Sequence, residues 1–128
     1  MRFVLRRRPR RIASKKSQLE YVAHKKAASN LVQSRLDHFN TIYGFTYNRV
    51  SIRNQRTRWG SCSRKGNLNF SYKVVLLPPA LVDYIVVHEL CHLGEFNHSR
   101  NFWDLVARTM PNHRELRVQL RAASASLR

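Results

Sequence analysis

The sequence holds only two cysteines, Cys62 and Cys91, so a framework of disulfide bonds is excluded. Cys91 falls inside an apolar segment, where a thiol is typical of a small buried side chain rather than half of a disulfide. The first residues are basic, but no apolar stretch follows them as it would in a secretory signal peptide. We therefore expect a protein of the reducing cytoplasm.

No apolar run is long enough to cross a membrane. A spanning helix needs about 20 predominantly apolar residues, and the most apolar segment is interrupted by Asp83 and by the His88–Glu89 pair. The chain has 128 residues, of which 43% are hydrophobic, enough for one domain with a core and too few for two. We expect no membrane association, a flexible basic arm over residues 1–13 and one domain over residues 14–128.

Acidic residues are scarce: seven Asp and Glu stand against 24 Lys and Arg, giving a formal net charge of +17. Residues 1–60 hold fifteen basic and two acidic residues, a net +13, whereas residues 61–128 hold nine and five, a net +4. Such a field attracts polyanions, most plausibly nucleic acid. Non-specific nucleic-acid binding through the basic N-terminal half and a solvated basic surface without a specific partner explain the charge equally well.

The hydrophobic period changes along the chain. Residues 14–43 follow a helical period, and Gly44 ends this helix. From residue 47 an alternating period predicts about three short strands, the last of them near residues 67–72. Residues 74–77 either prolong this last strand or lead away from it. Pro78 and Pro79 predict the start of a helix that continues to about Leu93. Two shorter helices follow, over residues 99–110 and from residue 111. A helix, a small sheet and further helices predict an α+β fold.

The strongest chemical signal is the HExxH motif at residues 88–92. On a helix, His88 and His92 lie one turn apart on the same face, with Glu89 beside them. His98 follows after five residues, enough for the helix to end and the chain to turn back. Three histidines and a glutamate in this pattern predict a catalytic Zn²⁺ site, with three protein ligands, a fourth position for water, and Glu89 as the base.

HExxH is a short motif that also occurs by chance in helices. The residues that precede it, 81–87, are apolar nearly all round and predict a buried helix. Two histidines and a glutamate inside such a helix are costly unless they are paired or bind a metal. The context therefore favours a metal site.

Several motifs, in the same order and spacing, resemble the YgjP-like metallopeptidases, a family that looks related to the SprT and WLM zincins. They are residues 57–62 (TRWGSC), 66–70 (GNLNF), 77–79 (LPP), the HExxH helix, 97–99 (NHS) and 102–103 (FW). The resemblance implies a zincin-like fold, with a small β-sheet packed on the HExxH helix and flanking helices. It implies a zinc metallohydrolase with His88, His92 and His98 as ligands and Glu89 as base.

The chain departs from the family in one respect. Members usually carry a β-rich segment ahead of the matched region, whereas this sequence has a basic arm and one helix there. The metzincin pattern, which shares the spacing to the third histidine, has glycine where this chain has Glu95, so Met110 is not predicted to form a Met-turn.

Three functions fit these patterns. The first is a zinc-dependent peptidase, in which an extended polypeptide pairs with the edge of the sheet at residues 67–72. The second is a metal-dependent nucleotide phosphohydrolase of the pyrophosphatase type, with the arginines between residues 49 and 58 holding phosphates. The third is a nucleic-acid-binding module with a structural zinc, against which an intact Glu89 argues. SprT- and WLM-like relatives work on DNA-associated proteins, so proteolysis and binding can coexist.

Candidate substrate-binding residues are Arg58, Asn69 and Tyr72. An electrophile for the developing oxyanion is also needed, and Tyr72, Tyr84, Arg58 and His113 all remain open. Trp59 is predicted to pack in the core rather than to face substrate.

Overall fold

The computed structural model describes residues 14–127, so the predicted arm over residues 1–13 and Arg128 lie outside the described residues. Helix α1 spans Lys15–Tyr43. The Ser14 side chain accepts a hydrogen bond from the Ser17 N–H at its start, and Gly44 closes its end in the left-handed conformation at φ 68°. Among residues 14–127 no helix is sufficiently long and apolar to cross a membrane.

The sheet has three strands, β1 (Arg49–Arg53), β2 (Gly60–Cys62) and β3 (Asn67–Ser71), in the order β1-β3-β2. Strand β3 runs parallel to β1 and antiparallel to β2. The expectation that residues 67–72 form a sheet edge for substrate is therefore wrong. Alternation along a strand identifies its two faces, but it carries no information on which strand lies in the middle.

A short 3₁₀ helix at Tyr72–Leu76 follows β3, whereas residues 74–77 were expected to prolong the strand or lead away from it. The Ser71 side chain accepts a hydrogen bond from the Lys73 N–H at 3.2 Å and starts this turn. Three further helices follow, at Pro79–Cys91 (α2), Arg100–Ala107 (α3) and His113–Ser126 (α4). Helix α2 begins at the predicted proline and ends two residues before the expected Leu93.

Helix α2 is the centre of the protein. Ten of its thirteen residues are buried, because α1, β2, α3 and α4 all pack against it. Arg35 of α1 holds Asp83 of α2 in a two-pronged ion pair, with N–O distances of 2.7 and 3.1 Å. Trp59 is 1% exposed, and its Nε1 donates a hydrogen bond of 2.7 Å to Ser124 of α4. The α+β prediction and the core position of Trp59 are confirmed.

Candidate metal centre and active site

Three histidines converge at the end of α2. His88 lies in the last turn of the helix, His92 forms its C-cap, and His98 comes from the loop that leads into α3. Their Nε2 atoms are 3.2 Å (88–92), 3.1 Å (92–98) and 3.3 Å (88–98) apart. Nitrogen ligands at about 2.0–2.1 Å from a tetrahedral zinc are separated by about 3.3–3.4 Å. The donor set and its spacing therefore fit a zinc ion held by three imidazoles.

The loop between the second and third histidines fixes their orientation. The Nδ1 of His92 lies 3.0 Å from the carbonyl oxygen of Glu95, which sets the tautomer and leaves the Nε2 lone pair directed at the other histidines. The loop packs closely on Phe45, since a Cβ added at Gly94 would lie 2.7 Å from the Phe45 ring. Phe102 of α3 lies beneath the imidazoles, with ring centroids 4.4–5.0 Å from all three.

Burial keeps the imidazole of His88 in its neutral form. His88 is fully buried, and this burial lowers its pKa well below the ordinary value, with His92 and His98 lowering it further. A neutral imidazole is the form that binds a metal ion. The electrostatics of the cluster thus agree with its geometry.

Glu89 is fully buried beside His88, and strand β2 passes directly over it. A Cβ added at Gly60 would lie 2.9 Å from Cγ and 3.2 Å from Oε2 of Glu89. Only a residue without a side chain leaves room for the carboxylate at this point. The sequence marked Gly60 solely as part of the TRWGSC motif, and a glycine inside a strand pattern, which signals a close approach, was the clue to its role.

The predicted substrate residues are dispersed. Asn69 lies between the core-facing Leu68 and Phe70, so it points to the opposite face of the sheet, where it bonds Ser61 and Arg53 at 3.3 Å. Arg58 is exposed ahead of β2.

Tyr72, in contrast, is 1% exposed and is directed at α1. Its hydroxyl donates to Glu20 at 3.4 Å, and its ring stacks on His24. The structure therefore brings together the three histidines and Glu89, whereas Asn69 and Tyr72 point elsewhere.

An aromatic and basic wall, formed by Trp103, His113 and Arg117, lies against the histidines. The Trp103 ring centroid is 6.0 Å from those of both His88 and His98. His113 stacks on Trp103 at 5.0 Å, and the Arg117 guanidinium carbon lies 4.7 Å from the centre of the same ring. The sequence indicated His113 as one candidate electrophile and did not indicate Arg117, although their i, i+4 spacing places both on one face of α4.

Burial also shifts the titration of two other candidate electrophiles. It raises the pKa of Tyr84, whose ring lies 6.1 Å from that of His88 one turn further along α2. It lowers the pKa of His113, and the neighbouring Arg114 and Arg117 lower it further. At neutral pH, Tyr84 is a neutral phenol and His113 a neutral imidazole.

A buried HExxH helix under a small sheet, with a third histidine from the following loop, defines a metallopeptidase of zincin-like fold. The chain belongs to the YgjP-like family, whose metallopeptidase domain matches residues 5–123. Membership of this family implies a catalytic metal. The predicted family and the zincin-like fold are both confirmed.

The fold is also similar to that of a solved structure, the crystal structure of the metallopeptidase zymogen of Pyrococcus abyssi abylysin. The two chains are 28% identical, and the TM-score is 0.66. The similarity covers 72% of this chain and 93% of the other. No curated protein matches the chain.

Proposed function

We propose that this protein is a zinc-dependent peptidase in which Glu89 is the general base. The observation that carries the proposal is the convergence of three histidine Nε2 atoms at 3.1–3.3 Å, with Glu89 buried next to the first ligand on the same helix. His88, His92 and His98 would hold Zn²⁺, which when bound supplies a Lewis acid that polarises a carbonyl group and acidifies water. The Glu89 carboxylate takes a proton from the attacking water and passes it to the leaving amine.

The position of β2 supports pairing of an extended substrate with this strand. β2 is an edge of the described sheet and passes over Glu89. The Trp59 carbonyl accepts from Ser71 and the Ser63 N–H donates to Asn67, so residues 59 and 63 face β3. By the alternation of antiparallel pairing, the peptide groups of Gly60 point away from β3, towards the position of a bound chain. A peptide on this edge has its backbone beside the base.

The phosphohydrolase alternative has less support. Arg49, Ser51 and Arg53 share a face of β1 with Asn69 of β3, opposite the face on which Gly60 meets Glu89. Arginines on that face are separated from the histidines by the sheet. The structural-zinc alternative also has less support, because three histidines leave a coordination position open and Glu89 sits beside it.

We infer in addition that the outer face of the sheet binds polyanions such as nucleic acid. Residues 38–82 contain seven basic residues and no acidic one. Among residues 14–127 the one ion pair joins Arg35 to Asp83, so Arg49 and Arg53 carry charges that no carboxylate of the described chain neutralises. Phosphate groups are the natural partners of such a surface, and contacts of this kind read no base sequence.

The peptidase proposal is tested by Glu89→Gln, with Glu115→Gln as the matched control on the exposed surface of α4. We expect Glu89→Gln to keep one zinc per chain and to lose hydrolysis of casein or a quenched peptide by at least about 100-fold. His98→Ala should weaken zinc binding, measured by titration against a chelating dye. Unchanged turnover in zinc-loaded Glu89→Gln would refute the role of the base. Chelator-sensitive hydrolysis of nucleoside triphosphates without peptide cleavage would replace the peptidase with the phosphohydrolase.

A further inference from the structure

Arg117 is a cation with no acidic partner among the described residues 14–127. It lies on α4, half-buried, and its guanidinium makes no hydrogen bond or ion pair with any residue described between 14 and 127. The group is nevertheless held in place, because its carbon lies 4.7 Å from the centre of the Trp103 ring, at stacking distance. A guanidinium that is fixed by stacking and left with all its donors available is suited to receive an anion from outside the protein.

The same tryptophan joins Arg117 to the metal centre. The Trp103 ring centroid is 6.0 Å from the rings of two predicted ligands, His88 and His98. The guanidinium and the rings of these two predicted ligands therefore lie around the same indole ring. No Asp or Glu described between residues 14 and 127 pairs with Arg117, so its positive charge is available to a bound anion.

We propose that Arg117 is the residue that binds the oxyanion formed during hydrolysis. The proposal rests on the peptidase function proposed above. When water attacks, a new C–O bond forms at the carbonyl carbon and the π electrons of the C=O bond move onto its oxygen. The N–H donors of Arg117 hydrogen-bond to this oxygen while it carries negative charge. Collapse restores the C=O bond and breaks the C–N bond, and the leaving nitrogen receives the proton held by Glu89.

The other candidates are less suited to this role, and Tyr84 among them is a neutral phenol with a single O–H donor. Tyr72 donates its hydroxyl to Glu20 and packs on α1. Arg58 is exposed, and no ring stacks on its guanidinium among the described residues. His113 is a neutral imidazole whose Nδ1 is buried without a partner, so one ring nitrogen is directed into the protein. Arg117 combines a permanent charge, several donors and a fixed position.

The decisive variant is Arg117→Met, which keeps a long apolar side chain on Trp103 and removes the donors. Arg117→Lys keeps the charge, and Arg114→Ala is the matched control, an exposed arginine on the same helix. All samples are loaded with zinc, and their metal content and melting temperature are measured. Loss of one oxyanion donor lowers kcat by about 10²–10³-fold. We expect this loss in Arg117→Met with KM changed less than threefold, a partial loss in Arg117→Lys, and none in Arg114→Ala.

A second readout does not depend on turnover. A phosphinic peptide places an anionic oxygen where the oxyanion forms, whereas a thiol peptide of the same sequence binds metal through sulfur and lacks that oxygen. Calorimetry should show that Arg117→Met weakens the phosphinic peptide by at least ten-fold and leaves the thiol peptide unchanged. Equal loss for both ligands, or none for either, would overturn the assignment. A change in KM alone, confined to substrates with acidic side chains, would overturn it in favour of a specificity role.

The two proposals fail in different ways. Absence of peptide cleavage by the zinc-loaded wild-type protein would remove the peptidase function, and the phosphinic peptide would still report whether Arg117 binds an oxyanion beside the metal. Normal cleavage by Arg117→Met would remove Arg117 and leave the peptidase function intact.

Discussion

Replacing Gly60 with alanine should disable the site without touching a metal ligand. The new Cβ would lie 2.9 Å from Cγ and 3.2 Å from Oε2 of Glu89, and 3.1 Å from the carbonyl oxygen of Asn69. Ordinary contact begins at 3.4 Å, so the glutamate and the strand must separate by about 0.5 Å or more. Strand β2 is paired with β3 on its other side, which limits its retreat. Most of the displacement therefore falls on the glutamate side chain.

The size of the effect follows from the role proposed for Glu89. A misplacement of about 1 Å in a reacting group costs on the order of 100-fold in rate. We expect kcat of Gly60→Ala to fall by roughly 30- to 100-fold, in line with that limit. Overpacking of a core contact also destabilises by about 1–3 kcal/mol. Zinc content should be unchanged, because Gly60 approaches Glu89 and not the three histidines.

The matched control is Gly44→Ala. Gly44 is left-handed at φ 68° with no atom within 4 Å of an added Cβ, so alanine there strains the backbone by about 1–2 kcal/mol and meets nothing. Both variants should lose stability in urea, and only Gly60→Ala should lose activity. Wild-type kcat in folded, zinc-loaded Gly60→Ala would show that Glu89 tolerates displacement. It would refute the argument that β2 positions the base.

Two further predictions follow from the packing and the charge. Trp59→Phe should destabilise the protein by about 1–3 kcal/mol, because the 2.7 Å hydrogen bond to Ser124 is buried. Urea unfolding of Trp59→Phe, Ser124→Ala and the double variant should give non-additive losses of unfolding free energy. Strict additivity would mean that the hydrogen bond contributes nothing. Binding of DNA or RNA should be sensitive to salt concentration and independent of base sequence. The slope of log affinity against log salt concentration should flatten in the double variant Arg49→Ala/Arg53→Ala, and also when residues 1–13 are deleted. Fluorescence anisotropy at several salt concentrations measures this slope, with Arg114→Ala/Arg121→Ala as the control pair and peptide cleavage expected to survive. Absence of any nucleic-acid binding at low salt would show that the basic surface is only solvated and has no polyanionic partner.

The sequence predicted which residues form the histidine cluster better than it predicted what surrounds them. The positions of His88 and His92 follow from helical geometry alone, and Glu89 needed only to be adjacent. His98 was predicted by its distance along the chain, which permits a return of the loop without requiring it. The tautomer of His92 depends on the backbone carbonyl of Glu95, and a backbone contact of this kind cannot be predicted from the identity of the side chain.

Long-range packing could not be predicted in the same way. Strand β3 lies in the middle of the sheet. The strand order depends on which strand edges form hydrogen bonds with each other in three dimensions, and the alternation of apolar and polar residues along a strand does not specify it. The wall of Trp103, His113 and Arg117 arises because α3 and α4 both pack on α2, which brings Trp103 against two residues that lie ten and fourteen positions further along the chain. Gly60 was visible as a glycine, but its partner Glu89 lies 29 positions away in the sequence.

Because α2 lies at the centre of the protein, the polar residues of the site occupy core positions where apolar residues would stabilise the fold more. His88 and Glu89 are polar side chains at 0% exposure in a helix whose other buried residues are apolar. A buried polar group stabilises a fold less than an apolar residue of similar volume in the same place. Selection for thermal stability alone would therefore replace these two residues early, since doing so fills the same space with better packing. A lineage released from the need for hydrolysis should drift towards a more stable, inactive descendant that keeps the fold and loses the histidine–glutamate pair first.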